Sequence, residues 1–328
     1  MKKVAVIGAG AWGTTLAVLL AEKGHAVTLW AYEKELIEQI KEFHENKLFL
    51  PGFQLPESIE CTNRIEGTKG SETFVFATPT QFLRTSADRF KKIVDPRHLV
   101  ISVSKGIEAK TLKLPMDILK ETLNIKKLAV LCGPNLSREI SKGLPAASVA
   151  ASEDPATARS VQELFTLERF RVYTNSDPLG VQLGGALKNI IAIAAGVADG
   201  LELGNNATAA LMIRGIAEIT RLGTAMGANP LTFAGLSGMG DLIATCSSKL
   251  SRNHRVGEML ARGKKLPEIR KKMKNVAEGI DTSSAALALG KKHRVQLPVA
   301  EEVYGVLYEG KDPFRSIANL MSREPTSE

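Results

Sequence analysis

The chain has 328 residues, 44% of them hydrophobic and 24% charged, which is typical of a globular protein with about two domains. Its formal net charge of +8, with only 5% aromatic residues, favours an anionic small substrate over nucleic acid, and we interpret the basic segment 262–274 as a solvated helix face. Three separated cysteines without a CxxC pair, and histidines without ligand spacing, predict reduced thiols, no metal site and a cytoplasmic location.

The first half of the chain alternates strand-like and helix-like patterns. An apolar run at 4–8 is followed by helical spacing over 13–24, a second strand at 26–30 and an amphipathic helix at 32–43. Further apolar runs predict strands at 73–79, 98–106, 128–134, 146–152 and 169–175. Strands separated by helices predict an α/β fold, with an N-terminal doubly wound, Rossmann-like, mostly parallel sheet.

From about residue 178 the pattern is only helical. Helical periodicity covers 207–226, 253–262, 267–275, 282–292 and 299–309. This change predicts one domain over residues 1–180 and an all-helical C-terminal domain over residues 181–328. No export signal or membrane span is expected: the apolar run near the N-terminus is too short for a signal peptide, and the longest nearly uncharged run, near 189–198, is shorter than the ~20 residues that cross a bilayer.

A GxGxxG pattern lies between the first predicted strand and the first predicted helix. Gly8 permits a tight turn, Gly10 lets the backbone approach a pyrophosphate, and Gly13 lets helix and strand pack closely. The helix N-terminus adds N–H donors and a positive dipole end. The pattern predicts that residues 1–180 bind a dinucleotide cofactor.

The end of the second strand normally selects between NAD and NADP. NAD sites often place an acid there, which accepts a hydrogen bond from the ribose 2′-hydroxyl. This chain has Ala31 and Tyr32, with Glu33 only afterwards and Lys34 as the nearby cation. The residues therefore leave both NAD and NADP open.

Lys188 stands in an apolar stretch, LGGALKNIIAIAAGVADG, at residues 183–200. On a helix, positions 188, 192, 195 and 199 share a face and read Lys, Ala, Ala, Asp. The stretch alone leaves two interpretations: a lysine that reaches water, or a buried lysine retained for chemistry.

Other polar residues follow predicted strands or stand near helix starts, where ligands bind in this fold class. Asp241 alone favours a helix N-cap, and Arg252 alone favours a surface salt bridge. Together they supply an ammonium, a carboxylate, amides and a guanidinium, which suit a phosphorylated substrate. The set comprises Lys105, Gly133, Asn135, Asp241, Thr245, Arg252 and Asn253.

The chain resembles bacterial NAD(P)-dependent glycerol-3-phosphate dehydrogenases over nearly its whole length. The segments that carry this resemblance are GAGAWGTTLA, ENKLFLPG, ATPTQ, SKGIE, CGPNLSREISKGLPAA, GVQLGGALKNIIAIAAGVADG, GLSGMGDLIATCSSKLSRN and VAEG. It implies that Lys188 is the catalytic proton acceptor, with Lys105 and Asp241 as the other catalytic candidates. The candidate substrate-binding residues are Lys105, Gly133, Asn135, Lys188, Asn189, Asp241, Thr245, Ser251, Arg252 and Asn253. The candidate cofactor-binding residues are Gly8, Gly10, Ala11, Trp12, Gly13, Tyr32, Lys105, Ser137, Arg252, Val276 and Glu278.

Four positions depart from the family pattern. Ala11 stands where serine is more usual, Asn135 replaces serine or threonine, and Ser137 replaces alanine. Tyr32 replaces the arginine or histidine expected there. Because all four lie on the cofactor side or at turns, they leave the cofactor preference open and the chemistry residues intact.

The resemblance implies reversible hydride transfer between NAD(P)H and dihydroxyacetone phosphate, giving sn-glycerol 3-phosphate for glycerophospholipid synthesis. We expect a homodimer, no nucleic-acid partner and no metal. Burial and the charge of Lys105 are expected to ease proton release from Lys188, which Asp241 or Asn189 would orient.

Two other functions would fit part of this set of residues. A related two-domain hydroxy-acid dehydrogenase or ketopantoate-type reductase would share the fold and the lysine, but Arg252 and Asn253 favour a phosphate. A non-catalytic NAD(H)-sensing module that binds nucleic acid would not need the intact catalytic set.

Overall fold

The computed structural model describes residues 1–273 and 276–324. The chain divides into two compact units: the first comprises Met1–Lys105 and Lys113–Gln182, and the second comprises Gly106–Leu112 and Leu183–Glu328. The domain boundary between residues 180 and 181 stays a prediction from the sequence pattern.

An eight-stranded sheet forms the centre of the first unit. Its strands are β1 (Lys3–Ile7), β2 (Ala26–Trp30), β3 (Ile59–Thr62), β4 (Thr73–Phe76), β5 (Leu99–Ser102), β6 (Lys127–Cys132), β7 (Ala146–Ala151) and β8 (Phe170–Asn175). Their order is β3-β2-β1-β4-β5-β6-β7-β8, and every neighbouring pair is parallel except β6 with β7. Since β1, β4 and β5 are buried along almost their whole length, their sequences are continuous apolar runs. The predicted mostly parallel, Rossmann-like sheet is confirmed.

Helices follow most of these strands. They are α1 (Ala11–Glu22), α2 (Lys34–Phe43), α3 (Thr80–Phe90), α4 (Pro115–Thr122), α5 (Ser137–Ser141) and α6 (Pro155–Phe165), with a short 3₁₀ turn at Ile65–Thr68. The apolar faces of α1 and α2 pack against the sheet, with Leu16, Leu20 and Ile37 in the same buried cluster as Val6 and Leu29. The first unit therefore has the layered architecture that places ligands at the carboxyl edge of its sheet.

The regular elements among the described residues of the second unit are all helices, and its short segment Gly106–Leu112 is turn and coil. It contains most of α7 (Pro178–Gly200), then α8 (Gly204–Ala225), α9 (Pro230–Phe233), α10 (Asp241–Cys246), α11 (Arg252–Ala261), α12 (Leu266–Lys272), α13 (Glu278–His293), α14 (Pro298–Tyr308) and α15 (Pro313–Met321). A π-helical turn at Leu236–Gly240 leads directly into α10. The predicted all-helical C-terminal part is confirmed for these residues.

The central helix of the second unit is α7. By length and composition it could cross a membrane, but 94% of its most apolar window is buried inside the protein, as in the core helix of a soluble protein. It crosses α11 in direct backbone contact, because a Cβ atom on Gly196 would lie 2.7 Å from the carbonyl carbon of His254. Gly257 on α11 leaves equally little room, since its Cβ would lie 2.6 Å from the amide nitrogen of Val197. These glycines fix α11 close to the segment of α7 that carries Lys188.

Candidate active site

The glycine turn between β1 and α1 has the geometry of a pyrophosphate cradle. Gly8 has φ +115°, and a Cβ atom there would lie 2.9 Å from the carbonyl oxygen of Ala77. A Cβ on Gly13 would overlap the carbonyl oxygen of Gly8, whereas no atom lies within 4 Å of the corresponding position on Gly10. Gly8 and Gly13 thus allow the turn to close, and Gly10 leaves open space where a phosphate could approach the backbone.

Two predicted cofactor residues begin α1, directly after this turn. Ala11 and Trp12 are half-buried, and Trp12 packs 6.4 Å from Phe170 between ring centroids. The indole nitrogen of Trp12 is buried and makes no hydrogen bond within residues 1–273 and 276–324. With Gly10 as the N-cap, the first amides of α1 have no side-chain cap.

A second cluster lies at the carboxyl ends of β5 and β6. Because these strands are neighbours, Lys105 and Gly133 meet, and Lys105 Nζ donates a hydrogen bond of 2.8 Å to the Gly133 carbonyl oxygen. Asn135 is held against β7: its Nδ2 donates to the Ala147 carbonyl oxygen at 3.3 Å, and Ser148 Oγ lies 3.0 Å from its Oδ1. A cationic head and an amide are therefore fixed at the edge where ligands bind in this fold.

Ser137 is the first residue of α5, two residues beyond Asn135. It is half-buried, and the helix it begins has only five residues. Its predicted cofactor role stays a prediction.

In the second unit, Lys188 is buried on α7, with 6% of its surface exposed. Its Nζ lies 2.9 Å from Asp241 Oδ1 and also donates a short hydrogen bond to Thr245 Oγ1. Thr245 in turn donates to Asp241 Oδ1 at 3.1 Å. The carboxylate stabilises the ammonium while burial disfavours its charge, so the two effects oppose each other at this atom. Of the two interpretations left open by the sequence, the buried lysine with a partner is the one observed.

Asp241 is the first residue of α10, and its cap is Gly240. The isolated interpretation of Asp241 as a helix N-cap is therefore wrong, because the π-helical turn directs its carboxylate towards α7 instead. At 2% exposed, this carboxylate needs a cationic or hydrogen-bonding partner, which Lys188 and Thr245 provide.

Cys246 is the last residue of the same helix and is fully buried. Burial raises the pKa of its thiol to about 12, with Lys188 opposing that shift and Asp241 adding to it. The thiol stays protonated at neutral pH, so Lys188 has no nearby thiolate to compete for its proton.

A network of amides joins α7, α11 and α13. Asn253 Nδ2 donates to Asn189 Oδ1 at 2.8 Å, and Asn253 Oδ1 accepts from the Gly279 amide at 3.1 Å. Asn189 thus accepts from Asn253 and donates from its own Nδ2 to the Gly185 carbonyl oxygen. Asp241, one of the two orienting candidates, is in direct contact with Lys188.

Arg252 begins α11, and its cap is the Ser251 side chain, which accepts from the His254 amide at 3.3 Å. Part of the Arg252 residue reaches solvent. Its guanidinium is nevertheless surrounded closely enough that desolvation lowers its pKa, while the nearby Glu278 carboxylate raises it. Glu278 begins α13, and Val276 is half-buried two residues before it.

Known proteins match this chain over most of its length. A family model described as NAD-dependent glycerol-3-phosphate dehydrogenase N-terminus covers residues 3–158, and its C-terminal counterpart covers residues 177–318. A protein from Citrifermentans bemidjiense, named glycerol-3-phosphate dehydrogenase for NAD(P)+, is 48% identical over 100% of this chain and 99% of its own. One of the same name from Bacillus pumilus is 46% identical over 100% of this chain and 96% of its own.

The chain belongs to the NAD-dependent glycerol-3-phosphate dehydrogenase family. A solved glycerol-3-phosphate dehydrogenase from Coxiella burnetii is 34% identical, with a TM-score of 0.94, and the alignment covers 98% of this chain and 99% of that one. A ketopantoate reductase from Ralstonia eutropha, at 17% identity and a TM-score of 0.61 over 97% of this chain and 99% of that one, shares the fold alone.

Membership of the glycerol-3-phosphate dehydrogenase family confirms three predictions from the sequence. These are the NAD(P)-dependent enzyme, its fold, and NAD or NADP as the class of cofactor. The roles of individual residues stay predictions, although several of those residues are in contact with one another within each unit.

Two functional candidates were missed in the sequence of this family member. Arg89 on α3 places its guanidinium carbon 4.5 Å from the ring centroid of Tyr32. His254, 1% exposed, pairs through Nε2 with Asp199 Oδ2 at 2.8 Å. Asp199 was recognised on the Lys188 face of the helix, but no local spacing signals partners that lie 55 or more residues away in the sequence.

Proposed function

We propose that Lys188 is the general acid–base of reversible hydride transfer between NAD(P)H and dihydroxyacetone phosphate. The observation that supports this role is its burial beside a carboxylate, with Nζ 2.9 Å from Asp241 Oδ1. A lysine this buried is unusual in a soluble protein unless it is paired or used in chemistry.

The nicotinamide cofactor, when bound, supplies or accepts the hydride. In reduction, Lys188 donates a proton from Nζ to the carbonyl oxygen as that oxygen gains negative charge, and in oxidation it takes the hydroxyl proton back. One hydride and one proton thus convert dihydroxyacetone phosphate to sn-glycerol 3-phosphate. Asp241 and Thr245 hold the amine in a fixed position relative to α7, and this restraint serves to orient the proton for transfer.

Cationic and amide groups would bind and orient the phosphorylated substrate. Arg252 carries a guanidinium fork suited to a phosphate, and Lys105 would help to polarise the carbonyl. Asn253 has one N–H engaged with Asn189, which fixes its plane and leaves its second N–H for substrate. Gly133, Asn135 and Ser251 would complete the substrate contacts.

The residues present fit a dinucleotide. Gly8, Gly10 and Gly13 would receive the pyrophosphate, because a Cβ atom is excluded at the first and third of these and space remains open at the second. The other proposed cofactor contacts are Ala11, Trp12, Tyr32, Lys105, Ser137, Arg252, Val276 and Glu278.

We further propose that the enzyme acts in the cytoplasm as a homodimer and supplies sn-glycerol 3-phosphate for glycerophospholipid synthesis. Light scattering during gel filtration tests the dimer, for which the expected mass is twice the 35.3 kDa of the chain. Initial rates with dihydroxyacetone phosphate, ketopantoate and 2-oxo acids test the substrate. Faster turnover of either unphosphorylated class would contradict the proposal.

Lys188→Ala is the direct test of the acid–base role. Turnover should fall by at least about 10²-fold, as is usual for loss of a general acid–base group, while cofactor binding measured by fluorescence is retained. Lys291→Ala removes an exposed lysine of the same unit and should leave turnover unchanged. Wild-type turnover in Lys188→Ala would contradict the assignment.

Asp241→Asn adds a second readout. The amide keeps a partner for Thr245 but loses the charge beside Lys188, so the pH–rate profile should move to lower pH. A lower rate with an unmoved profile would mean that Asp241 only supports the fold.

A further inference from the structure

A stacked pair of side chains stands at the end of β2. Tyr32 lies two residues beyond this strand, and 64% of its surface is exposed. The guanidinium carbon of Arg89 lies 4.5 Å from its ring centroid, within the usual range of a cation–π contact. Tyr32 therefore holds this cation over the face of its ring.

The pair is connected to the glycine turn. The Gly8 amide donates a hydrogen bond of 2.8 Å to the carbonyl oxygen of Trp30, the last residue of β2. In this fold, residues just beyond β2 face the ribose that carries the adenine. The inference therefore rests on the cofactor site proposed above, and it concerns the one atom at which the two cofactors differ, the 2′-oxygen.

The charged side chains near Tyr32 include one cation, Arg89, that forms no ion pair within the described residues. Neither Ala31 nor Tyr32 supplies the carboxylate that would accept a hydrogen bond from a 2′-hydroxyl. Lys34 is engaged with Glu38, with Nζ 3.2 Å from Oε1. Arg89, by contrast, is in none of the ion pairs that the described residues form.

We propose that Arg89 is a specificity-determining residue that selects NADPH over NADH by pairing with the 2′-phosphate. A guanidinium presents several N–H donors in one plane and can hold a phosphate through two of them. Because the contact with Tyr32 already restricts the Arg89 side chain, Arg89 loses less conformational freedom when it binds the phosphate. Glu33 is the competing residue, because a carboxylate so close to the ribose would favour a 2′-hydroxyl instead.

The test uses two nucleotide fragments that differ only in the 2′-phosphate. Calorimetry gives the affinity of the whole protein for adenosine 2′,5′-bisphosphate and for 5′-AMP. Arg89→Ala should weaken the bisphosphate by about 10- to 100-fold, as is typical for loss of a charge-assisted hydrogen bond, and leave 5′-AMP within about twofold. Arg89→Lys keeps the charge without the fork and should retain part of the difference.

Arg84→Ala is the matched control. Arg84 lies on the same helix but pairs with Glu121 at 3.1 Å, so its loss should change neither affinity. In parallel, the kcat/KM ratio of NADPH to NADH should exceed one in the wild type, fall in Arg89→Ala and stay constant in Arg84→Ala.

Each contrary result has a separate meaning. An unchanged bisphosphate affinity in Arg89→Ala, or an equal loss for both fragments, would overturn the selection by Arg89. A wild-type preference for NADH that disappears in Glu33→Gln would assign the selection to Glu33 instead. If neither fragment binds the wild type, the proposed cofactor site itself fails.

Discussion

The buried carboxylate of Glu218 should make the stability of the protein depend on pH. This carboxylate on α8 is 4% exposed and accepts hydrogen bonds from the first amides of α14, from Val299 at 2.7 Å and from Ala300 at 3.4 Å. Burial raises its pKa from 4.5 to about 7, although both amides and the Arg221 charge oppose the shift. The folded protein therefore holds a proton at Glu218 that the unfolded chain releases.

The sign of the effect on stability follows from proton linkage. The contribution of Glu218 is fully present below pH 4.5, where both states are protonated, and it is lost as pH rises through about 7. The whole shift corresponds to about 3 kcal/mol of unfolding free energy, of which about 2 kcal/mol falls between about pH 5.5 and about pH 8.

Urea unfolding of the wild type and of Glu218→Gln at those two pH values measures this effect. The neutral glutamine keeps an acceptor for Val299, so the variant should lose about 2 kcal/mol less than the wild type on going to the higher pH. Glu309→Gln, at the exposed end of α14, is the control and should behave as the wild type. If Glu218→Gln kept the wild-type pH dependence, Glu218 would not carry the proton inferred here.

Two further predictions concern the packing of α11 and the residue that begins it. Gly196→Ala should lower the unfolding free energy by about 1–3 kcal/mol or more, because its Cβ would displace the His254 backbone. Gly305→Ala, whose Cβ meets the Lys311 and Glu309 side chains and no backbone atom, should be neutral or stabilising in the same thermal melt. Arg252→Ala should raise the KM for dihydroxyacetone phosphate at least about 10-fold, because an anion loses a charged partner. A KM as low as that of Arg255→Ala, an exposed arginine on the same helix, would contradict the phosphate role.

Much of the fold could be predicted from sequence periodicity. Parallel strands buried on both faces are continuous apolar runs, which made the runs at 73–79 and 128–134 recognisable. The edge strand β3 was missed because its four residues, IECT, include an exposed Glu60 and have no such run. The predicted strand 98–106 ends at Ser102, since its last residues are polar or leave the sheet.

The candidate site could be predicted only in part. Local spacing identifies the glycine turn, because its three glycines act within one strand–helix connection. The partners of Lys188 are 53 and 57 residues away, and only the folded chain brings Asp241 and Thr245 to it. Arg89 follows Tyr32 by 57 residues, and no local pattern indicates that their side chains stack.

The segment Gly106–Leu112 has a consequence for dissecting this protein. It belongs to the second unit, although the chain on both sides of it belongs to the first, so the polypeptide passes between the units three times. Ile107 and Glu108, 0% and 8% exposed, lie in this segment. A fragment truncated after residue 182 would carry the segment without the unit to which it belongs. Two independently soluble halves are therefore not obtained by a single cut, and dissection would require a linker in place of residues 106–112.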